Sequence, residues 1–533
     1  YRNRYTIVFN GEIYNFKKLK INLKQLGHIF QSETDTEVLL AAYSQWGEEM
    51  LNKIEGMFVF VIWDSKKKSF FIARDPLGQK QVFFYFKNNK FLIASNPQAI
   101  KCMANHIIDL NKSAISCYLA LGYIPSEKGI WNDINTIDSG SYLKFNYENN
   151  RFDNFTKKKY WELKNFQNDT KNNSNNFEEI FSTVCNEHTN SDVPIGIAIS
   201  GGLDSNSILY QIKNVKNLSA FCIGYKDQRI DESKYAEQIT NHLSIELNLK
   251  ILENQEHLEE AEDLVCSATY QPQGYSSLTT FFLLSKLVSE HKKVLITGDG
   301  GDEIFLGYDW YKSASNIDKF KQFIKHVLFN DSIEVKFNEL KKKSIFHKHI
   351  LNLFPRFLPN EIDKILNLKE KFNYAGILNL FKEQFDDSLP LHSNLQIIDL
   401  NNFTKDHICT KIDNMGMHNS LEVRAPFLDR RMVSWALNQT NQNNKKTESK
   451  KILKKLLKEK KIINFLNKNK QGFSLKLKNQ NLKNKIDYIK TSKLMKEEYL
   501  NSELTNLLQN DKNIYTEARI KTCWNIAKWY EYQ

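Results

Sequence analysis

Ser200 to Asn206 reads SGGLDSN and follows the apolar run Ile195–Ile199. Two glycines let the backbone approach an anion closely, and successive N–H groups there form a concave nest. The helix expected to start just after it adds the positive end of its dipole. Asp204 repels a bare phosphate, so its place in that loop calls for Mg²⁺ between the two. The plainer reading of Gly201-Gly202 is a tight turn. Lys293 to Tyr308 reads KVLITGDGGDEIFLGY: a second apolar run, a second glycine-rich turn, and the carboxylates Asp299, Asp302 and Glu303. Two such strand ends in one sheet suit a triphosphate held with Mg²⁺, and Asp204 and Asp302 are the metal candidates. Charge at a helix N-terminus is the simpler use for Asp302-Glu303. No G-x-x-x-x-G-K-[ST] occurs, so this is not a P-loop of the Walker type.

These loops need strands to carry them. Val193–Ile199, Leu218–Gly224, Ile245–Leu252 and Lys293–Thr297 read as strands, separated by helical stretches such as Glu232–Leu243 and Ser277–His291. Strands alternating with helices predict βαβ units and a parallel sheet. The first 145 or so residues differ. Met57–Asp75, Gln81–Ser95 and Gly140–Phe152 each read as two strands around a polar turn, with helices expected at Asn15–Leu26 and Thr34–Ile54, the second capped by Thr34 or Asp35. That is an α+β half on antiparallel sheet. Residues 165–176, NFQNDTKNNSNN, read as a linker. The expected division is 1–150, a linker at 151–176, and 177–533. Beyond about residue 310 the chain reads as mainly helical, and 313–400 carries no interpretable motif.

The bulk composition excludes several classes. Hydrophobic residues are 41% and charged residues 26% of the 533, the balance of an ordinary globular protein. No apolar run approaches a membrane span, and no basic-then-apolar leader opens the chain. The net charge of +12 comes from lysines spread among many asparagines, which reads as compositional bias rather than a nucleic-acid surface. Seven cysteines, an odd number with no C-x-x-C pair, argue against a disulfide framework or a zinc site and fit a reducing cytoplasm.

SGGLDS resembles the pyrophosphate loop of the N-type ATP pyrophosphatases, which cleave between the α and β phosphates. SGGLDSN, TGDGGDEIFLGY, KIDNMGMHNSLEVRAPFLD (Lys411–Asp429) and KQGF (Lys470–Phe473) occur in the order seen in glutamine-hydrolysing asparagine synthetases. VFNGEIYN, TDTEVLLAAYSQWG, GMFVFVIWD and ARDPLGQK in the first half are similar to that family's glutaminase domain. The resemblance implies an Ntn-type antiparallel-sheet glutaminase domain followed by a parallel-sheet ATP pyrophosphatase domain with a helical C-terminal part. It implies ATP and Mg²⁺, with aspartate and glutamine or ammonia as small-molecule partners. A homodimer is a possible assembly; neither nucleic acid nor membrane is implied. Position by position, Ser200, Gly201, Gly202 and Ser205 match the pyrophosphate loop, and Gly298 joins them as a nucleotide-site residue. Asp204 and Asp302 match the Mg²⁺–pyrophosphate ligands. Asp299 matches the acidic residue proposed to take a proton from ammonia. Lys450 matches the lysine that stabilises charge during adenylation, although Lys445, Lys446, Lys451, Lys454 and Lys455 crowd it and a solvated helix face is the simpler use of such a run. Asn10 and Gly11 match the oxyanion hole for glutamine hydrolysis, and Glu12 and Asp35 the groups that hold glutamine's amino group. A β-turn and a helix cap are the alternative uses of Asn10-Gly11 and Asp35.

The sequence departs from the family pattern in places. The family's N-terminal cysteine nucleophile has no counterpart: residue 1 is Tyr, and the first cysteine is Cys102. The expectation is a fragment of a complete enzyme, lacking strands of the sandwich, that uses free ammonia as given. Asn414 stands where the family usually has arginine, Gly416 where it has serine, and Lys468 where it has arginine before KQGF. The ARDPLGQK segment lacks the usual ending. If the missing arginine touches the acceptor, the acceptor is a carboxylate other than aspartate, such as a surface-polysaccharide sugar acid. A regulatory relic and a tRNA-modifying pyrophosphatase are two further readings. Intact Asp204, Asp299 and Asp302 count against the first, and the glutaminase-like half against the second.

Overall fold

The computed structural model describes residues 1–533 apart from 2, 105–107, 127, 154, 169–175, 227–230, 253–255, 309, 312–355, 358, 367–380, 382, 387, 443–448, 467–478 and 511–515. KQGF, Lys468, Lys445, Lys446 and residues 154 and 169–175 of the expected linker fall outside the described residues. The linker expected from residue 151 instead begins with two strands, Arg151–Phe152 and Thr156–Lys159, which pair with the first-half sheet, and a 3₁₀ turn at Leu163–Asn168.

The first half is built on antiparallel sheet. β1 (Tyr5–Ile13), β2 (Gly56–Asp64), β3 (Ser69–Arg74), β7 (Ser141–Glu148) and β8 (Arg151–Phe152) lie side by side in that order, and β9 (Thr156–Lys159) also pairs with β7. A smaller sheet has the order β5 (Lys90–Ala94), β4 (Phe83–Lys87), β6 (Ile134–Thr136). The charged turn at Lys66–Lys68 and the Asn88-Asn89 turn close the expected hairpins; both asparagines adopt positive φ, which Asn tolerates well. The helix expected over Thr34–Ile54 is interrupted. An α-helix runs Asp35–Trp46, Gly47 turns at φ +56°, and a 3₁₀ segment covers Gly47–Asn52. Glycine at that position takes the left-handed conformation without a Cβ penalty, so the chain changes direction there. Thr34 caps the helix by accepting the Glu37 N–H.

The second half holds a five-stranded parallel sheet in the order β12 (Glu246–Leu252), β11 (Ser219–Tyr225), β10 (Ile195–Ala198), β13 (Val294–Ile296), β14 (Glu422–Arg424). Ser219–Tyr225 is buried along its whole length, as a central parallel strand requires. From β10 the chain winds outward through β11 and β12, then returns to place β13 on the other side of β10. The order therefore reverses between β10 and β13. In open α/β sheets ligands bind at such a switch point, beyond the carboxyl ends of the strands. SGGLDSN follows β10 and TGDGGDE follows β13.

Candidate active site

Both loops open on one cavity of about 520 Å³, lined by residues from Ala198–Ser205, Thr297–Glu303 and the helical region around Phe403–Lys411. At the β10 end, Gly202 precedes the helix Leu203–Ile212, and the first loop N–H groups are turned toward oxygens. Ser200 N–H donates to Ser205 Oγ at 3.3 Å, Gly201 N–H to the Glu232 carboxylate at 3.1 Å, and Gly202 N–H to Ser200 Oγ at 3.1 Å. Asn206 Nδ2 ties the loop by donating to the Ser200 and Gly202 carbonyls, both at 2.7 Å. The result is a rigid loop with a backbone N–H already facing a carboxylate.

The β13 end closes on it. Gly300 turns at φ +92° into the short helix Gly301–Ile304, which carries Asp302 and Glu303. A Cβ at Gly301 would sit 2.7 Å from Asp204 Oδ1, and one at Gly298 2.9 Å from the Ser205 nitrogen. Glycine at these positions lets the two loops meet. Between them lies Lys450, whose Nζ donates to Asp204 Oδ2 at 2.5 Å and pairs with Asp302. Lys450 is buried, has φ +54° and donates its N–H to the Phe305 carbonyl, whereas Lys451, Lys454 and Lys455 on the next turn are exposed. The chain folds the one lysine inward and leaves the others in solvent.

Two carboxylates converging on one cation are a hard-oxygen donor set of the kind that holds Mg²⁺ with phosphate oxygens. The lysine and the loop amides add positive charge for an anionic ligand. Asp299 faces the same cavity and is fixed by Lys411, Nζ to Oδ1 at 2.7 Å. Glu303 is nearly fully buried, accepts the Tyr308 hydroxyl at 2.7 Å, and is pushed up to about 7, first by burial and then by Asp302 beside it.

The four candidates of the first half lie together at its edge strand. Gly11 has φ +146°, and a Cβ there would run into the Met57 carbonyl. Asn10 Nδ2 donates to Ser95 Oγ at 3.1 Å. Asp35 accepts the Ile13 N–H at 3.1 Å, and burial raises its pKa. Glu12 is drawn toward Arg424 of β14, 3.2 Å away across the junction between the halves. Burial outweighs that guanidinium and pushes Glu12 up to about 7.

Comparisons with known proteins identify the family. A model of the asparagine synthase family matches residues 176–531. The chain belongs to the asparagine synthase family. A glutamine amidotransferase domain model matches residues 1–161. Asparagine synthetase [glutamine-hydrolyzing] 1 of Bacillus subtilis is 27% identical over 99% of this chain and 86% of its own length. A putative asparagine synthetase [glutamine-hydrolyzing] 2 of Methanocaldococcus jannaschii is 30% identical over 60% of this chain and 62% of its own. Amidase chyE of Penicillium rubens is 23% identical over 81% and 70% respectively. The asparagine synthase family comprises ATP-dependent amidotransferase ligases. No helix among the described residues is long and apolar enough to cross a membrane.

Several contacts that build the site had no local signal in the sequence. Lys411 belongs to a conspicuous motif, but its partner Asp299 is 112 residues away. Glu232 faces the loop from the start of another helix. Lys80 and Asp413 form a buried pair at 2.5 Å across the two halves, and the Gln81 N–H donates to the same carboxylate. Asn414 is fully buried, does not line the cavity, and has no hydrogen-bond partner for its amide.

Proposed function

We propose that the protein converts aspartate to asparagine in two steps. The β-carboxylate oxygen of aspartate attacks the α-phosphorus of ATP, a new P–O bond forms, and pyrophosphate leaves. Ammonia then attacks the acyl carbon of β-aspartyl-AMP, the C–O bond to phosphate breaks, and asparagine and AMP result with loss of one proton. The observation that carries this reading is the meeting of Asp204, Asp302 and Lys450 at the switch point of the sheet, with Asp299 on the same cavity.

In this reading Ser200, Gly201, Gly202 and Ser205 cradle the pyrophosphate, with Gly298 leaving room beside them. Asp204 and Asp302 would hold Mg²⁺, which when bound neutralises phosphate charge. Lys450 stabilises charge developing between the α and β phosphates. Asp299, steadied by Lys411, takes the proton from attacking ammonia. The mostly apolar cavity wall keeps water from the adenylate. Asn10 and Gly11 serve as the oxyanion hole and Glu12 and Asp35 as the amino-group holders of a glutaminase site that supplies the ammonia.

A second reading, amidation of a different carboxylate, is raised by the similarity to an amidase. The test is pyrophosphate release by the purified chain with Mg-ATP and ammonium, with and without L-aspartate, followed by chromatography of the product. Aspartate-dependent release with asparagine formed is expected. A folded, ATP-binding protein that releases no pyrophosphate with aspartate would overturn the reading and favour the second.

A further inference from the structure

Arg356 lies in the stretch where the sequence offers no motif, yet its side chain lines the cavity and is only 6% exposed. Other buried arginines are neutralised or saturated by the protein. Arg424 faces Glu12 and Glu422, Arg431 faces Asp429 and Glu187, and Arg519 faces Glu361. Arg74 donates to three carbonyls. Arg356 donates to Thr522 Oγ1 at 2.9 Å and the Gly274 carbonyl at 2.8 Å, both neutral, and lies 4.3 Å over the Tyr275 ring. Among the described residues no carboxylate pairs with it. Two hydrogen bonds use two of a guanidinium's five donors. A buried cation that meets no counter-ion among the described residues is expensive unless a ligand supplies one.

The surroundings are built around this group. A Cβ at Gly122 or Gly274 would overlap the guanidinium, and the Gly274 N–H donates to the Gly122 carbonyl at 2.8 Å. Two hydrogen-bonded glycines thus make the slot.

The wall between Arg356 and the phosphate end is continuous. Lys411 holds Asp299. His407, one helical turn earlier, packs on Tyr275 with ring centroids 4.1 Å apart, and Tyr275 underlies Arg356. His407 is kept neutral by burial, so it offers no competing cation. A chain of contacts thus joins Asp299 to Arg356 through Lys411, His407 and Tyr275 on the wall of the one cavity that Asp204 and Asp302 also line.

We infer that Arg356 binds a second anionic group of the acceptor, so that the cavity selects molecules with two acidic groups over those bearing the reacting carboxylate alone. The inference rests on the adenylation reading for which carboxylate reacts. In aspartate the second group is the α-carboxylate, and a guanidinium holds a carboxylate through two parallel hydrogen bonds.

The test is calorimetric binding to the full chain with Mg²⁺ and α,β-methylene ATP, which fills the nucleotide end without reacting. The probes are L-aspartate, succinate and β-alanine, the last being aspartate without its α-carboxylate. The native protein is expected to bind the two dicarboxylates at least tenfold more tightly than β-alanine. Arg356→Met should weaken both by roughly 10- to 100-fold, to the level of β-alanine, and leave β-alanine unchanged. Arg356→Lys keeps the charge but loses the fork and should fall between. Circular dichroism checks folding; if Arg356→Met does not fold, Arg356→Lys decides. No preference for dicarboxylates in the native protein, or the same preference in a folded variant, would overturn the inference. Arg356-dependent binding without any turnover of aspartate would instead sink the asparagine reading and leave the anion subsite standing.

Discussion

The two halves place their candidate residues in opposite ways. In the second half Asp204 follows β10, Asp299 and Asp302 follow β13, and all three line one cavity, where Lys450 reaches Asp204 and Asp302 from the start of the helix Lys451–Glu459. In the first half Asn10, Gly11 and Glu12 sit on the edge strand β1, and Glu12 reaches out of its own half to Arg424. Arg424 also accepts the Thr297 N–H through its carbonyl at 2.9 Å, beside the cavity. One residue thus touches Glu12 of the first half with its side chain and the residue after β13 with its backbone. The difference teaches that the cluster in the second half is built within that half, whereas Glu12 in the first half takes its electrostatic setting from the neighbouring half.

That contrast can be broken at the junction, in either half, or by pH. The largest effect is expected at the junction. Asp413→Asn leaves the Lys80 ammonium buried without its counter-charge and should cost about 3–5 kcal/mol of stability by denaturant melts; a loss well under 1 kcal/mol would mean the halves do not depend on that pair. Lys450→Met breaks the second half alone. It should slow ammonium-supported pyrophosphate release per folded molecule by about 10²- to 10³-fold, and it should also lower the melting temperature, because Asp204 and Asp302 lose the cation between them. Gly11→Ala breaks the first half alone, because a Cβ there meets the Met57 carbonyl at a φ of +146°. A loss of about 1–3 kcal/mol is expected, with the ammonium-supported rate per folded molecule retained. The smallest effect concerns Glu12. Its carboxyl is raised from 4.5 to about 7, so the fold favours the protonated form. Its stabilising contribution is complete below pH 4.5 and is lost as pH rises through 7. Glu12→Gln should therefore flatten part of the fall in melting temperature between pH 5 and pH 8. Identical slopes for the two proteins would contradict this assignment.

Four strands of the parallel sheet were legible to within a residue or two, whereas the three-residue edge strand Glu422–Arg424 was not. Leu218–Gly224 became Ser219–Tyr225, a buried and largely apolar run, and Ile245–Leu252 became Glu246–Leu252, an edge strand whose apolar and polar residues alternate. Asp204 and Asp302 could be placed together from sequence because each follows such a run through glycines. Thr34–Ile54 was read as one helix because its apolar spacing continues past Gly47; the periodicity does not register the left-handed turn taken there. Contacts of Lys411 with Asp299, Arg424 with Glu12, and Arg356 with Gly274 join residues far apart in the chain. Nothing local announces such pairs, since they depend on which helices pack over the sheet. Arg356 stood out only once its burial and its neutral partners were visible.

The central claim is that the acceptor carboxylate attacks the α-phosphorus at the Asp204–Asp302–Lys450 site. The most direct measurement uses aspartate carrying ¹⁸O in its β-carboxylate, with Mg-ATP and ammonium, and reads the nucleotide product by ³¹P NMR and mass spectrometry. One ¹⁸O transferred to the phosphate of AMP is the predicted result. Unlabelled nucleotide, with ADP formed and the label in inorganic phosphate, would place the attack at the γ-phosphorus and contradict the account.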